Sequence, residues 1–149
     1  MKNLALSALA AATLSFAVPQ VATAQDQWPL EPAEYGEVSA IHIDDGYGLT
    51  YANHLATIWR ASQDYAVEQG WITGYEILVN SHACEGEPDI YLLTRFTAFE
   101  TPEEGEERGR KFREEMGRTI AQMQEESAGR AEYRHLGSEM LLRRMVWAD

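Results

Sequence analysis

The side chains able to do chemistry are few, and they are scattered along the chain. Four histidines and one cysteine stand among 149 residues. His42, His82 and Glu76 fall on one side of two extended segments and could offer nitrogen and oxygen donors to a divalent cation. No tight metal-binding spacing of histidines accompanies them, so no metal site is predicted. His82 and Cys84 stand two apart, so they share a side in extended chain, where an imidazole can stabilise a thiolate. The plainer reading is a loop histidine and a loop cysteine beside a hairpin. His54 sits one turn before Ile58 in a segment of helical period, with Tyr51 and Trp59 close by. That is an arrangement for an axial haem ligand between aromatic walls, or for an aromatic helix face packed into a core. Arg95 and Arg143, both in extended segments, could hold a carboxylate or phosphate through two parallel hydrogen bonds, or pair with Glu76 and Glu139 across strands. Tyr51, His54, Trp59, Arg95, His42 and Arg143 are therefore the candidate ligand-binding residues. No residue stands out as a poised acid, base or nucleophile, and no cofactor is predicted, haem through His54 being the alternative. Glu103, Glu104, Glu106 and Glu107 lack the alternating spacing and glycine of a calcium loop and read as a solvated helix start.

The composition narrows the classes of partner. Acids number 24 against 12 bases, for a formal charge of -12. This balance opposes nucleic acid and anionic membrane surfaces, which both gather lysine and arginine. The hydrophobic fraction of 45% suits a folded domain. A single cysteine, Cys84, leaves no internal disulfide and no cysteine-based zinc site. Residues 1–24 (MKNLALSALAAATLSFAVPQVATA) carry a positive start, an apolar stretch from Leu4 to Val18, and Ala22-Thr23-Ala24 as a small-residue cleavage site. They predict a secretory signal and hence a periplasmic or secreted protein in a bacterial cell. The apolar run falls short of the roughly 20 residues of a membrane span, so no membrane association is expected after cleavage. Loss of this segment removes Lys2 and no acid. It leaves a lone cysteine in an oxidising compartment, either free or joining two chains.

The elements that must position these residues follow from periodicity. Residues 25–36, with two prolines and a glycine, read as an extended leader, and residues 37–149 as one domain. Residues 37–44 alternate as a strand. Tyr51, Leu55, Ile58, Trp59, Ser62 and Ala66 mark one stripe of a helix over about 49–69, with Gly70 as its stop. Residues 71–82 and 89–99 alternate as two strands of a hairpin. Thr101, Pro102 and Glu104 start a helix running to about Glu126, with a break near Gly105 or Gly109. Residues 138–147 form a last strand. The predicted fold is α+β, in the order β-α-β-β-α-β: a four-stranded antiparallel sheet with two helices on one face.

Ile41 and Ile43, Tyr75, Ile77 and Val79, Ile90, Leu92 and Phe96, and Met140, Leu142 and Val146 best match the layer beneath the helices. The other side mixes Val38, Leu78, Leu93, Leu141 and Trp147 with His42, Glu76, Arg95 and Arg143. It is too apolar for water and too polar for a plain core, which predicts a homodimer through the sheet face.

This order, and the phrase Gly70-Trp71-Ile72-Thr73-Gly74-Tyr75-Glu76-Ile77-Leu78, resemble the dimeric α/β-barrel (ferredoxin-like) superfamily, within it the NIPSNAP-like and antibiotic-biosynthesis-monooxygenase-like groups. The likeness covers most of residues 37–147. It implies a dimer closed by two sheets and a ligand held between sheet and helices. The superfamily includes cofactor-free monooxygenases, haem-binding and haem-degrading enzymes, isomerases and ligand sensors. No catalytic motif of these groups matches this sequence position by position. The expectation is an exported small-molecule-binding protein, ahead of a monooxygenase-like or haem-linked oxidative enzyme and of a purely structural homodimer.

Overall fold

A computed structural model describes residues 28–148. The expected signal segment, and the first residues of the expected leader, lie outside the described residues. No described helix is long and apolar enough to cross a membrane.

The chain begins with a strand, β1 (Leu30–Ile43). One continuous helical rod follows, built from α1 (Gly48–His54), a π-helical turn (Leu55–Trp59) and α2 (Arg60–Glu68). Two strands come next, β2 (Gly74–Val79) and β3 (Ile90–Phe96). Two further helices, α3 (Pro102–Met116) and α4 (Ile120–Arg130), precede β4 (Arg134–Trp147). The protein is thus α+β, with a four-stranded antiparallel sheet in the order β2-β3-β1-β4 and three helical rods.

The helix boundaries have local causes. Gly70 adopts φ +69°, its N–H reaches the Val67 carbonyl at 2.9 Å and the Trp71 N–H reaches Ala66 at 2.9 Å, so a left-handed glycine closes the first rod. Thr101 accepts from the Glu104 N–H while the Glu104 carboxylate accepts from the Thr101 N–H, with Pro102 at the first position.

The expected single second helix is two. Its break falls at Gly117, not at Gly105 or Gly109, because Gly117 takes φ +60° and Thr119 with Gln122 opens a second capping box two residues later.

The first strand starts at Leu30, inside the expected leader. Pro32 is tolerated there because that end of β1 pairs only with β4. Pairing with β3 begins at Tyr35, so the missing proline N–H deprives no second neighbour.

Strand register decides which side chains meet. Ile41 pairs with Ile90, and Ile77 with Leu92, so these residues share one face. Tyr51 and Leu55 of the first rod pack on that face to form the buried cluster with Ile41. Ile43, Trp59, Ile90, Leu92 and Tyr133 lie against it. Five apolar residues are buried among the described residues, two of them, Val38 and Ala40, on the opposite face.

The two alternating sets of β4 lie on the faces opposite to those expected. Ile41 pairs with Leu136 and Ser39 with Glu139, so β4 carries one extra residue across Gly137 and Ser138. Beyond this bulge Met140 pairs with Val38 and Leu142 with Gly36, on the face away from the helices. Leu141 and Arg143 pair with Glu37 and Tyr35 on the helix side. Each set of β4 mixes apolar residues with an arginine, so alternation alone could not choose between them.

The face away from the helices is then a stripe of Leu78, Tyr91, Leu93, Val38, Met140 and Leu142. Its centre is protected within the sheet, and Leu78 and Leu142 are 48% and 50% exposed.

Candidate functional site

The six candidate ligand residues do not converge on one site, although Arg95 and Arg143 border one open hollow of about 540 Å³ together with Glu34 and Arg144. Tyr51, His54 and Trp59 stay together along the first rod, on the helix side of the sheet. The Tyr51 ring lies 5.7 Å from the His54 ring, and Trp59 meets Tyr75 edge-on at 5.2 Å. Arg95 is on the opposite face, where it pairs with Glu76, and with Glu34 at 3.6 Å. It is an ion-paired strand arginine, and the neighbouring Glu76 raises its already high pKa. Arg143 is on the helix side, its guanidinium 3.8 Å from the centre of the Tyr35 ring. His42 pairs with His135 at the far end of β1, and its Nε2 stands 3.1 Å from where a Cβ on Gly137 would lie. Among the described residues no three of His, Cys, Asp and Glu gather closely enough to hold a metal ion. Cys84 is exposed in the β2–β3 loop, its N–H donating to Glu87 at 2.9 Å.

A ligand-sized space that none of these six borders lies elsewhere. A cleft of about 450 Å³ opens between the helix-side face of the sheet, the end of the first rod and α3. Trp71, Phe96, Phe99 and Phe112 supply its aromatic walls. A volume of this size suits a small organic ligand. Each wall is braced from behind. Tyr65 of α2 meets Trp71 edge-on at 5.3 Å and Phe112 at 6.5 Å. Tyr35 stacks on Phe96 at 5.5 Å and tilts against Phe99 at 4.9 Å.

The charged groups of the cleft are Glu37, Glu100 and Arg108. Arg108 contacts Glu100 at 3.2 Å and lies 5.8 Å from the centre of the Trp71 ring. A Cβ at Gly105 would come within 2.9 Å of the Glu100 carboxylate, so the bare glycine makes room for that acid beside the first turn of α3. The cleft can therefore bind an apolar or aromatic body and offers one arginine at its rim.

Of the candidates, none lines this cleft. The aromatic residues that do are spread over the β2 approach, the end of β3 and α3. Alternation already placed Phe96 in the layer beneath the helices, but no local pattern joined it to Trp71, Phe99 and Phe112.

A second, smaller hollow of about 180 Å³ lies where the π turn faces α3 and α4. His54, Trp59, Arg118 and Arg130 border it. This is below the roughly 300 Å³ of a usual organic ligand site, so it takes a fragment and not a macrocycle. Burial, followed by the charges of Arg130 and Arg134, lowers the His54 pKa to about 4, and the imidazole is neutral at pH 7. Burial also pushes the Tyr51 phenol up, against the pull of Arg134 and Arg130.

Compared with family models, curated proteins and solved structures, the chain matches nothing.

Proposed function

We propose that this protein is an exported small-molecule-binding protein of the ferredoxin-like, dimeric α/β-barrel type. Two copies meet through the helix-free faces of their sheets, and each holds a ligand between its sheet and its helices. The observation that carries this reading is the aromatic cleft of Trp71, Phe96, Phe99 and Phe112, whose walls are held by Tyr65 and Tyr35. Rigid aromatic walls around an open volume bind flat or apolar molecules without costly reordering of side chains.

Binding is favoured over catalysis by the charged groups present. Glu100 and Arg108 are spent on each other, and neither is set against a nucleophile. Support for the dimer comes from the half-exposed Leu78, Met140 and Leu142 on a face that no described helix covers. The residue pattern of positions 1–24 supports export.

Native mass spectrometry of the purified protein tests the whole reading. The expected species is a dimer of chains beginning at Gln25, carrying a non-covalently retained organic molecule that is lost in Trp71→Ala. A monomer without added mass, for both the parent and the variant, would sink the proposal.

A further inference from the structure

The small hollow beside the π turn has a charge that the rest of the chain does not lead one to expect. Acids outnumber bases two to one in the sequence, at 24 against 12. Yet Arg118, Arg130 and Arg134 converge on His54 from the α3–α4 turn, the end of α4 and the start of β4, with Glu126 as the one facing acid.

Arg118 reaches Glu126 at 3.1 Å. Among the described residues Arg130 makes no ion pair, and Arg134, whose buried Nε has no hydrogen-bond partner, borders a different hollow between α4 and β4. Arg118 and Arg130 border the hollow against the single acid Glu126, so its potential is net positive, and a bound anion would offset the excess.

The rest of the lining is apolar. Ile58, Trp59, Phe112, Met116 and Met123 enclose the volume in front of Arg118 and Arg130. An inorganic anion would leave these walls dry and unused. The backbone adds a second sign: the π turn Leu55–Trp59 departs from regular helix at the residues that open the hollow, and such turns are often found at functional sites.

We propose that this hollow binds a small organic carboxylate, its carboxylate group held by Arg118 and Arg130 and its apolar body against Trp59 and Met123. The site is separate from the aromatic cleft, with Phe112 standing between the two, and it does not rest on a ligand being bound there.

The bound carboxylate would face His54 together with Tyr51 of α1, Arg118 and Glu126, Arg130 of α4 and Arg134 of β4. Its negative charge would offset the arginines, so the His54 titration should move upward when the site fills.

Benzoate serves as the probe, with benzamide as its uncharged counterpart. Calorimetry on the purified protein should show saturable benzoate binding, weakened at least tenfold in Arg130→Gln and in Arg118→Gln, with benzamide at least tenfold weaker than benzoate. Proton NMR of the unaltered protein supplies a readout that needs no variant. Benzoate should shift the His54 and Trp59 ring signals and raise the His54 titration midpoint. Equal binding of benzoate and benzamide would overturn the proposal, as would the absence of benzoate binding. A benzoate response confined to the Trp71 indole, with His54 unmoved, would also overturn it by placing the probe in the cleft.

Discussion

The guanidinium of Arg143 lies over the ring of Tyr35, 3.8 Å from its centre, and the same ring stacks on Phe96. A strand arginine thus presses on the tyrosine that braces two walls of the aromatic cleft. Removal of the cation in Arg143→Ala should cost about 0.5–1 kcal/mol, the usual range for an exposed cation–π pair. Arg143→Lys should recover part of that loss. Urea unfolding of the three proteins checks this, and an alanine variant as stable as the parent would show that Tyr35 needs no such support.

Two helix glycines make opposite demands. Gly117 takes φ +60° to end α3, where a side chain is strained however much room it has. Gly117→Ala should destabilise by about 1–2 kcal/mol. Gly129 lies inside α4 with nothing within 4 Å of an added Cβ. Gly129→Ala should stabilise by about 0.5–1 kcal/mol through helix propensity. Thermal unfolding of both variants reads the two signs, and equal signs would contradict the assignment of the α3–α4 break to Gly117.

Local chemistry made much of this fold legible. The box of Thr101 and Glu104, the stop at Gly70 and the alternation through Tyr75, Ile77 and Val79 each act within a few residues, so their patterns survive in the sequence. The break at Gly117 was equally local, since Thr119 and Gln122 repeat the capping pattern, but the stripe of Phe112, Met116, Ile120 and Met123 runs through it and masks it. The face taken by β4 was not legible, because the extra residue near Gly137 is defined only by its partner strand. The site fared worst for the same reason. Arg118, Arg130 and Arg134 lie on three separate elements, and only the packing of α4 beside the first rod brings them to His54.

Lowered basicity of His54 has a consequence for stability. Its pKa in the folded protein, about 4, lies below the ordinary histidine value of 6.5. Above pH 6.5 the imidazole is neutral in both folded and unfolded chains, and its contribution is complete. As pH falls from 6.5 towards 4 the unfolded chain takes up the proton first, so stability should decline across that window and level off below it. The group is partly exposed, and solvent screening makes the loss smaller than the shift alone implies. Urea unfolding from pH 7.5 to 4 should show a steeper decline for the parent than for His54→Phe. Parallel curves would mean that His54 is not held neutral by the fold.

The helix-free face of the sheet makes the strongest demand on solution behaviour. Leu142 sits on the edge strand of that face, opposite Gly36 and on the same side as Met140, and 50% of its surface is open in the single chain. Burial of a leucine side chain is worth about 1.5–3 kcal/mol, and a face shared by two copies collects that contribution from both. Leu142→Glu would place two carboxylates near the closing interface and should lower dimer affinity by at least a hundredfold. It should leave the monomer's secondary structure intact, because the side chain touches no helix-side core residue. Sedimentation of the parent and the variant at equal concentration checks this, with circular dichroism as the folding control. A folded Leu142→Glu protein that sediments as the parent does would move the interface off this face.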